Sequence, residues 1–256
     1  MKNLNILSLL VFITLLISCN NSVMETKTQI IAHRGYWDTE GSAQNSIAAL
    51  QKAAEIGVYG SEFDVNVTSD GIPIINHDGD IQGMRIEEHP FIDFADYTLS
   101  NGEKLPTLEE YLIEGAKYPE MKLILEIKSA STPEKESIAT NIIMDMVERM
   151  KLQSQVEYIA FSLHIVKEIV KRAPTVKVAY LNGDLSPREL KEMGINGLDY
   201  HYSVFANNEN WIEEAKESGV SINVWTVNSS ELIENMILQK VDFITTDNPL
   251  LVAELL

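Results

Sequence analysis

Apolar positions along the chain fall into two alternating rhythms. Short runs rich in Ile, Val, Phe and Tyr recur at 29–33, 60–67, 121–127, 156–161, 176–181, 197–201, 221–227 and 242–245. Several are nearly continuous in apolar character, the pattern of strands buried on both faces of a parallel sheet. Between them lie stretches with helical spacing, such as Ile47, Leu50 and Ala54, bounded by start and stop signals. Asn45 or Ser46 can cap that first helix. Thr107-x-x-Glu110, Ser186-x-x-Glu189 and Asn228-x-x-Glu231 have the form of capping boxes, and Pro133, Pro187 and Pro249 stand where proline suits a first helical turn. Eight strand–helix units predict an α/β fold of the (β/α)8 barrel type. A doubly wound open sheet is the alternative, and the absence of a GxGxxG after the first strand counts against it.

One segment breaks the alternation. After residues 60–67 the chain reads Thr68-Ser69-Asp70-Gly71-Ile72-Pro73-Ile74-Ile75-Asn76-His77-Asp78, and Asp70-Gly71 between two β-prone runs signals a hairpin. A two-residue turn would pair Ser69 with Ile72 and, counting outward, Asp64 with His77. Residues 72–76 are therefore an extension after strand two, followed by a short insertion at 79–103, and not one of the eight.

The N-terminus has a different pattern. Lys2 precedes an apolar run from Ile6 to Ile17, too short for a membrane span, which needs roughly 20 residues, and laid out as a secretory signal. It ends in Leu16-Ile17-Ser18-Cys19, which resembles a bacterial lipobox, so residues 1–18 are expected to be removed and Cys19 lipidated. Residues 19–28 would be a tether and 29–256 a single domain, exported and lipid-anchored to a bacterial membrane. Cys19 is the single cysteine, so the expected domain has neither disulfides nor a catalytic thiol. A net charge of −18 excludes nucleic acid as a partner, and no protein partner is expected. An anionic substrate would need a local positive centre.

The strand ends supply one. In a barrel of this kind, chemistry sits where strands end. His33-Arg34 stands there on the first strand, Glu62-x-Asp64 on the second and Glu126-x-Lys128 on the third. Spacing of two puts both members of each pair on one face. Glu62, Asp64 and Glu126 would repel one another, and one hard divalent cation, Ca²⁺ or Mg²⁺, removes that repulsion. His33 and His77 are candidate proton carriers. Arg34 and Lys128 are candidate anion holders, and Gly35 lets the chain turn off the strand. Of the other histidines, His201 could line the pocket, His89 reads as a loop residue and His164 as near a cap. Trp225 is either pocket wall or core.

The ordered set AHRG, SEFDV, INHD, LEIK, VWTVN and ITTDNP, with KLPTLEEYL at 104–112, resembles the glycerophosphodiester phosphodiesterase family over roughly residues 30 to 250. The resemblance implies a TIM barrel, a bound divalent cation, and hydrolysis of glycerophosphodiesters to glycerol 3-phosphate and an alcohol. Motif by motif, it gives His33 and His77 the acid–base roles, Glu62, Asp64 and Glu126 the metal, and Arg34 and Lys128 the phosphate. Where the family carries Pro-Glu-Asn-Thr, this chain has Ala43-Gln44-Asn45-Ser46. Two other readings stand beside this one. One is a related phosphodiesterase cleaving an inositol or other headgroup diester, through a cyclic phosphate; the other is a lipoprotein that binds glycerophosphodiesters without turnover.

Overall fold

The computed structural model describes residues 27–256, so the expected signal segment, Cys19 and all but the end of the tether lie outside the described residues. The strands are β1 (Gln29–Ala32), β2 (Gly60–Val67), β3 (Pro73–Ile75), β4 (Asp80–Ile81), β5 (Met84–Arg85), β6 (Lys122–Ile127), β7 (Val156–Ala160), β8 (Val178–Tyr180), β9 (Gly197–His201), β10 (Ser221–Trp225) and β11 (Phe243–Thr246). Parallel pairing runs β1, β2, β6, β7, β8, β9, β10, β11 and returns to β1. These eight are the eight apolar runs of the sequence, with boundaries differing by up to two residues. The ring closes into a (β/α)8 barrel.

Helices α1 (Ile47–Glu55), α2 (Leu108–Gly115), α3 (Pro133–Arg149), α4 (Leu163–Arg172), α5 (Pro187–Glu192), α6 (Tyr202–Asn207), α7 (Trp211–Ser218), α8 (Ser230–Leu238) and α9 (Pro249–Leu255) complete it. Ser46, not Asn45, caps α1, and the Glu103 carboxylate also accepts from the Ile47 and Ala48 N–H groups, tying the insertion to that helix. Thr107 and Ser186 form full capping boxes with Glu110 and Glu189. The expected cap at Asn228 is corrected to Ser229, which accepts from Leu232 N–H. Asn228 turns instead toward the barrel mouth, where its side chain bonds Asp247 and Thr246.

Two apolar layers hold the barrel. The outer one, between strands and helices, includes Phe63 against Tyr111 with ring centroids 4.4 Å apart. The inner one is Ile31, Ile124, Ile159 and Leu181. Each such fully buried side chain contributes about 1.5–3 kcal/mol. Gly35 is dictated by both backbone and space. Its φ is +76°, and a Cβ there would come within 2.6 Å of the Ala49 Cβ, so the turn off β1 requires glycine.

The hairpin forms, but its register is one residue from the expected one. Val67 faces Pro73, Asn66 faces Ile74 and Val65 faces Ile75. The Asn76 N–H accordingly reaches the Asp64 carbonyl, so Asp64 lies opposite Asn76 and not His77. The cause is Thr68. Its hydroxyl donates to Asp70 and accepts from Ile72 N–H, and its carbonyl accepts from Gly71 N–H. That makes a three-residue turn with Gly71 left-handed at φ +81°, a standard longer hairpin loop. The insertion beyond it has a small core of its own, including Ile74, Ile81, Ile86, Phe94 and Leu105.

Candidate active site at the barrel mouth

The first strand delivers three consecutive residues to the mouth. His33 N–H bonds the Thr246 carbonyl, continuing the ladder with β11. Arg34 then adopts φ +55°, a strained value for a non-glycine residue, and its N–H donates to Glu62 Oε2 at 2.7 Å. Gly35 N–H donates to the Glu62 carbonyl.

β2 and β6 bring the carboxylates. Asp64 and Glu126 are register partners on adjacent strands. Glu62, Asp64 and Glu126 are all buried, and each offers an oxygen within 4.8 Å of the others. Burial and the charges of Asp64 and Glu126 push the Glu62 carboxyl well above its ordinary range. Burial, then Asp64, pushes Glu126 up to about 7. Burial also disfavours ionised Asp64, yet Lys128, the Asn45 amide, His77 and Arg34 together bring it below its ordinary value. Three carboxylates against Arg34 and Lys128 leave one formal negative charge in a buried space. Hard oxygen donors, mutual repulsion and burial all fit a divalent cation.

Lys128 Nζ stands 2.8 Å from Glu126 Oε1 and 3.1 Å from Asp64 Oδ1, so it is committed to the carboxylates. Arg34 Nη1 donates to Gln44 Oε1 at 2.7 Å, and Nε, 3.7 Å from Asp64, has no hydrogen-bond partner. Gln44 therefore lies on the arginine and outside the acidic group.

Both site histidines hold a carboxylate at Nδ1: His33 with Asp247 Oδ1 at 2.8 Å and His77 with Asp78 Oδ1 at 2.8 Å. Such a partner keeps the proton on Nδ1 and leaves Nε2 as the exchanging nitrogen. Burial, with Lys128 and Arg34, lowers the His77 pKa against the opposing pull of Asp64. His33, Arg34, Glu62, His77 and Glu126 line one cavity of about 140 Å³. Its other wall is Ile159, Phe161, Leu181, Asp199, Trp225, Thr226 and Thr245, which settles Trp225 as pocket wall. His201 is not among the lining residues; its Nδ1 bonds Ser203 at the start of α6 and its ring rests on Trp225, 5.2 Å away. His89 pairs with Asp93 in the insertion, and His164 bonds Ser137 near the start of α4.

Three residues at the site were not among the expected site residues, one of them, Asn45, having been expected only as a possible helix cap. Asp247 binds His33, Trp37 Nε1 and Asn228 Nδ2 at once. Burial disfavours its charge, but His33 and these donors lower its pKa to about 2. Its position just past the last strand was a signal, because ring closure sets that strand beside the first. Asn45 holds Asp64 through Nδ2 and, in return, accepts from Asp64 N–H. Asp199, fully buried on β9, completes the set.

The sequence profile of the Glycerophosphoryl diester phosphodiesterase family matches residues 33–251. The chain belongs to that family. It is 29% identical over 243 residues, 87% of this chain and 95% of the other, to the glycerophosphodiester phosphodiesterase of Caldanaerobacter subterraneus subsp. tengcongensis. A crystal structure of a glycerophosphodiester phosphodiesterase from Parabacteroides distasonis superposes with a TM-score of 0.88 at 50% identity, covering 90% of this chain and 97% of that one. An Oleispira antarctica phosphodiesterase in complex with the product sn-glycerol-3-phosphate shares the fold at 24% identity, with a TM-score of 0.77 over 90% of this chain and 96% of that one. The family is enzymatic, hydrolysing glycerophosphodiesters with a divalent metal.

Proposed function

We propose that this protein hydrolyses glycerophosphodiesters to glycerol 3-phosphate and an alcohol, with His33 and His77 as the acid–base pair and Glu62, Asp64 and Glu126 holding one Ca²⁺ or Mg²⁺. The observation that carries the reading is one cavity lined by both carboxylate-anchored imidazoles and by Glu62 and Glu126, two members of the buried three-carboxylate group. When bound, the cation supplies positive charge to the phosphate oxygens, where negative charge grows in the transition state. It would also change the balance of the site from one formal negative charge to one positive, which a phosphodiester monoanion neutralises.

The chain's own groups do the rest. Arg34, whose Nε makes no hydrogen bond within the protein and lies 3.7 Å from Asp64, binds the phosphate, with Gln44 fixing the guanidinium at Nη1. Lys128 spans Asp64 and Glu126 and holds their oxygens in place. One imidazole takes a proton at Nε2 from the attacking water, which forms a new P–O bond, while the other protonates the alkoxide that leaves as the old P–O bond breaks. Where the substrate's own neighbouring hydroxyl attacks first, water opens the cyclic phosphate in a second such step. Asp247 and Asp78 keep the two rings in the required tautomer and favour the imidazolium as it forms. Trp225, Phe161 and Leu181 line the opposite wall and exclude water from the carbon chain of the substrate. The sequence reading of Cys19 as a lipidated, membrane-anchoring residue belongs to the same proposal; labelling of wild type but not Cys19→Ser by a fatty-acid probe checks it.

The test is an assay of metal-loaded and chelated protein against a panel of glycerophosphodiesters, with products followed by phosphorus NMR. The expected result is cation-dependent appearance of glycerol 3-phosphate. A persistent cyclic phosphate would assign the cyclising alternative, and binding without turnover would assign a capture protein.

A further inference from the structure

Asp199 is a buried ionisable group that the proposed mechanism does not use. It lies on β9, across the barrel from β2, with 2% of its surface exposed. Its Oδ1 receives no hydrogen bond from the protein. The rest of the residue is firmly held: Trp225 Nε1 donates to its carbonyl at 2.8 Å, and its register partner on β10, Asn223, supports the carboxyl and is itself paired with Thr245 in both directions. A rigid scaffold thus holds a carboxyl with one unsatisfied oxygen among the residues lining the cavity that contains His33, Arg34, Glu62 and Glu126, with a smaller cavity beside Ile31 and Asn223 on its other side.

Unpaired buried polar atoms are costly and rare, and a ligand-binding site is one place where they persist. An ionised carboxyl needs a hydrogen donor at Oδ1, whereas a protonated one can also donate. A phosphate oxygen could serve only the protonated form, and the carboxylate repels it. A cation belongs with the three carboxylates grouped on the other side of the barrel. A hydroxyl group meets the requirement, and it can pair with the carboxyl in either protonation state. Burial, with Glu126 adding repulsion, pushes the Asp199 carboxyl up to about 8 against the opposing Asn223 amide. The apolar neighbours Leu181, Phe161 and Trp225 suit the carbon chain to which such a hydroxyl is attached.

We propose that Asp199 is a substrate-binding residue whose Oδ1 takes a hydrogen bond from a hydroxyl of the polyol half of the diester, so that the site selects glycerol-type esters over simple alkyl phosphates. This rests on the phosphodiesterase reading above and names the group that recognises the non-phosphate part of its substrate. A site built around a substrate hydroxyl rejects analogues lacking it, because the protein atom is then left unpaired again.

The test is calorimetric binding of glycerol 3-phosphate and methyl phosphate to Mg²⁺-loaded wild type, Asp199→Ala and Asp199→Asn, with melting temperatures measured in parallel. Wild type should prefer glycerol 3-phosphate. Asp199→Ala should weaken that ligand by about tenfold to a hundredfold while leaving methyl phosphate within about twofold. Asp199→Asn, which keeps an acceptor oxygen and the volume, should lose less and melt no lower than wild type. Unchanged glycerol 3-phosphate binding in Asp199→Ala, or equal losses for both ligands, would overturn the assignment and leave Oδ1 to a buried water. Wild type binding neither phosphate would instead overturn the phosphodiesterase reading from which it follows.

Discussion

On the side of the barrel mouth formed by β1, β2 and β6, seven ionisable side chains crowd together: His33, Arg34, Glu62, Asp64, His77, Glu126 and Lys128. On the side formed by β7, β8 and β10, the same height is occupied by Phe161, Leu181 and Trp225. The backbone is alike on both sides, parallel strands feeding helices. The charged side is held by bonds that reach across sequence, such as His33 to Asp247 and Asn45 to Asp64. The other is held by packing, as in the edge-on contact of Phe161 and Trp225 at 5.7 Å. The difference separates the tasks: the first half is suited to a cation and a phosphate, the second to the rest of the substrate.

If that division is right, substitutions in the two halves should fail differently. The largest effect is expected from the imidazoles. His33→Ala and His77→Ala should each lower kcat by roughly 10²–10⁴-fold with little change in KM, which steady-state kinetics on a glycerophosphodiester reads directly. Full turnover by the double variant would end the acid–base assignment. Next comes Asp247→Asn. It keeps the size of the side chain but removes the negative charge that stabilises the His33 imidazolium as it forms, so a smaller loss in kcat is expected, with its pH profile displaced.

Smaller still are the effects on the apolar side. Phe161→Ala and Leu181→Ala should raise KM by a few-fold, near one lost apolar contact each, and leave cation affinity unchanged. A change in cation affinity from either would mean that the two halves are not separate.

Stability should show the same division through pH. Glu126 titrates near 7 in the folded protein, above its unfolded value of 4.5. The folded state therefore binds more protons than the unfolded state across that interval. Its contribution is fully present below pH 4.5 and is lost as pH rises through about 7. Chelated protein should melt at progressively lower temperature from pH 5 to 8, and Glu126→Gln should flatten that slope. A saturating cation should flatten it too, and by binding only the folded state should raise the melting temperature.

Much of the barrel was legible because its strands are buried on both faces and so carry a continuous apolar signature. The site pairs were legible because a spacing of two has one geometric meaning in a strand. Other features depended on contacts that sequence distance hides. Asp247 meets His33 because β11 closes against β1, and Asn45 meets Asp64 through a turn in which Asn45 itself is left-handed at φ +62°. The hairpin register turned on a single hydroxyl, Thr68, whose bonds to Asp70 and Ile72 add a residue to the turn. His77 reaches the cavity despite that shift, because β3 ends at Ile75 and the backbone on either side of His77 is held by the Asn66 amide, which donates to the Asn76 and Asp78 carbonyls. Phe91, Phe94 and Tyr97 belong to the insertion's own small core, and Tyr97 also lines the groove beside Arg34 and His77.

The most direct measurement is a calorimetric titration of Ca²⁺ and Mg²⁺ into chelator-stripped wild type and the Glu62→Gln, Asp64→Asn and Glu126→Gln variants. One saturable ion per chain is expected in wild type, with binding weakened at least tenfold in every variant, since each removes one charged oxygen donor. An equally tight ion in all four proteins, or none in wild type, would contradict the gathering of these three carboxylates around a single cation.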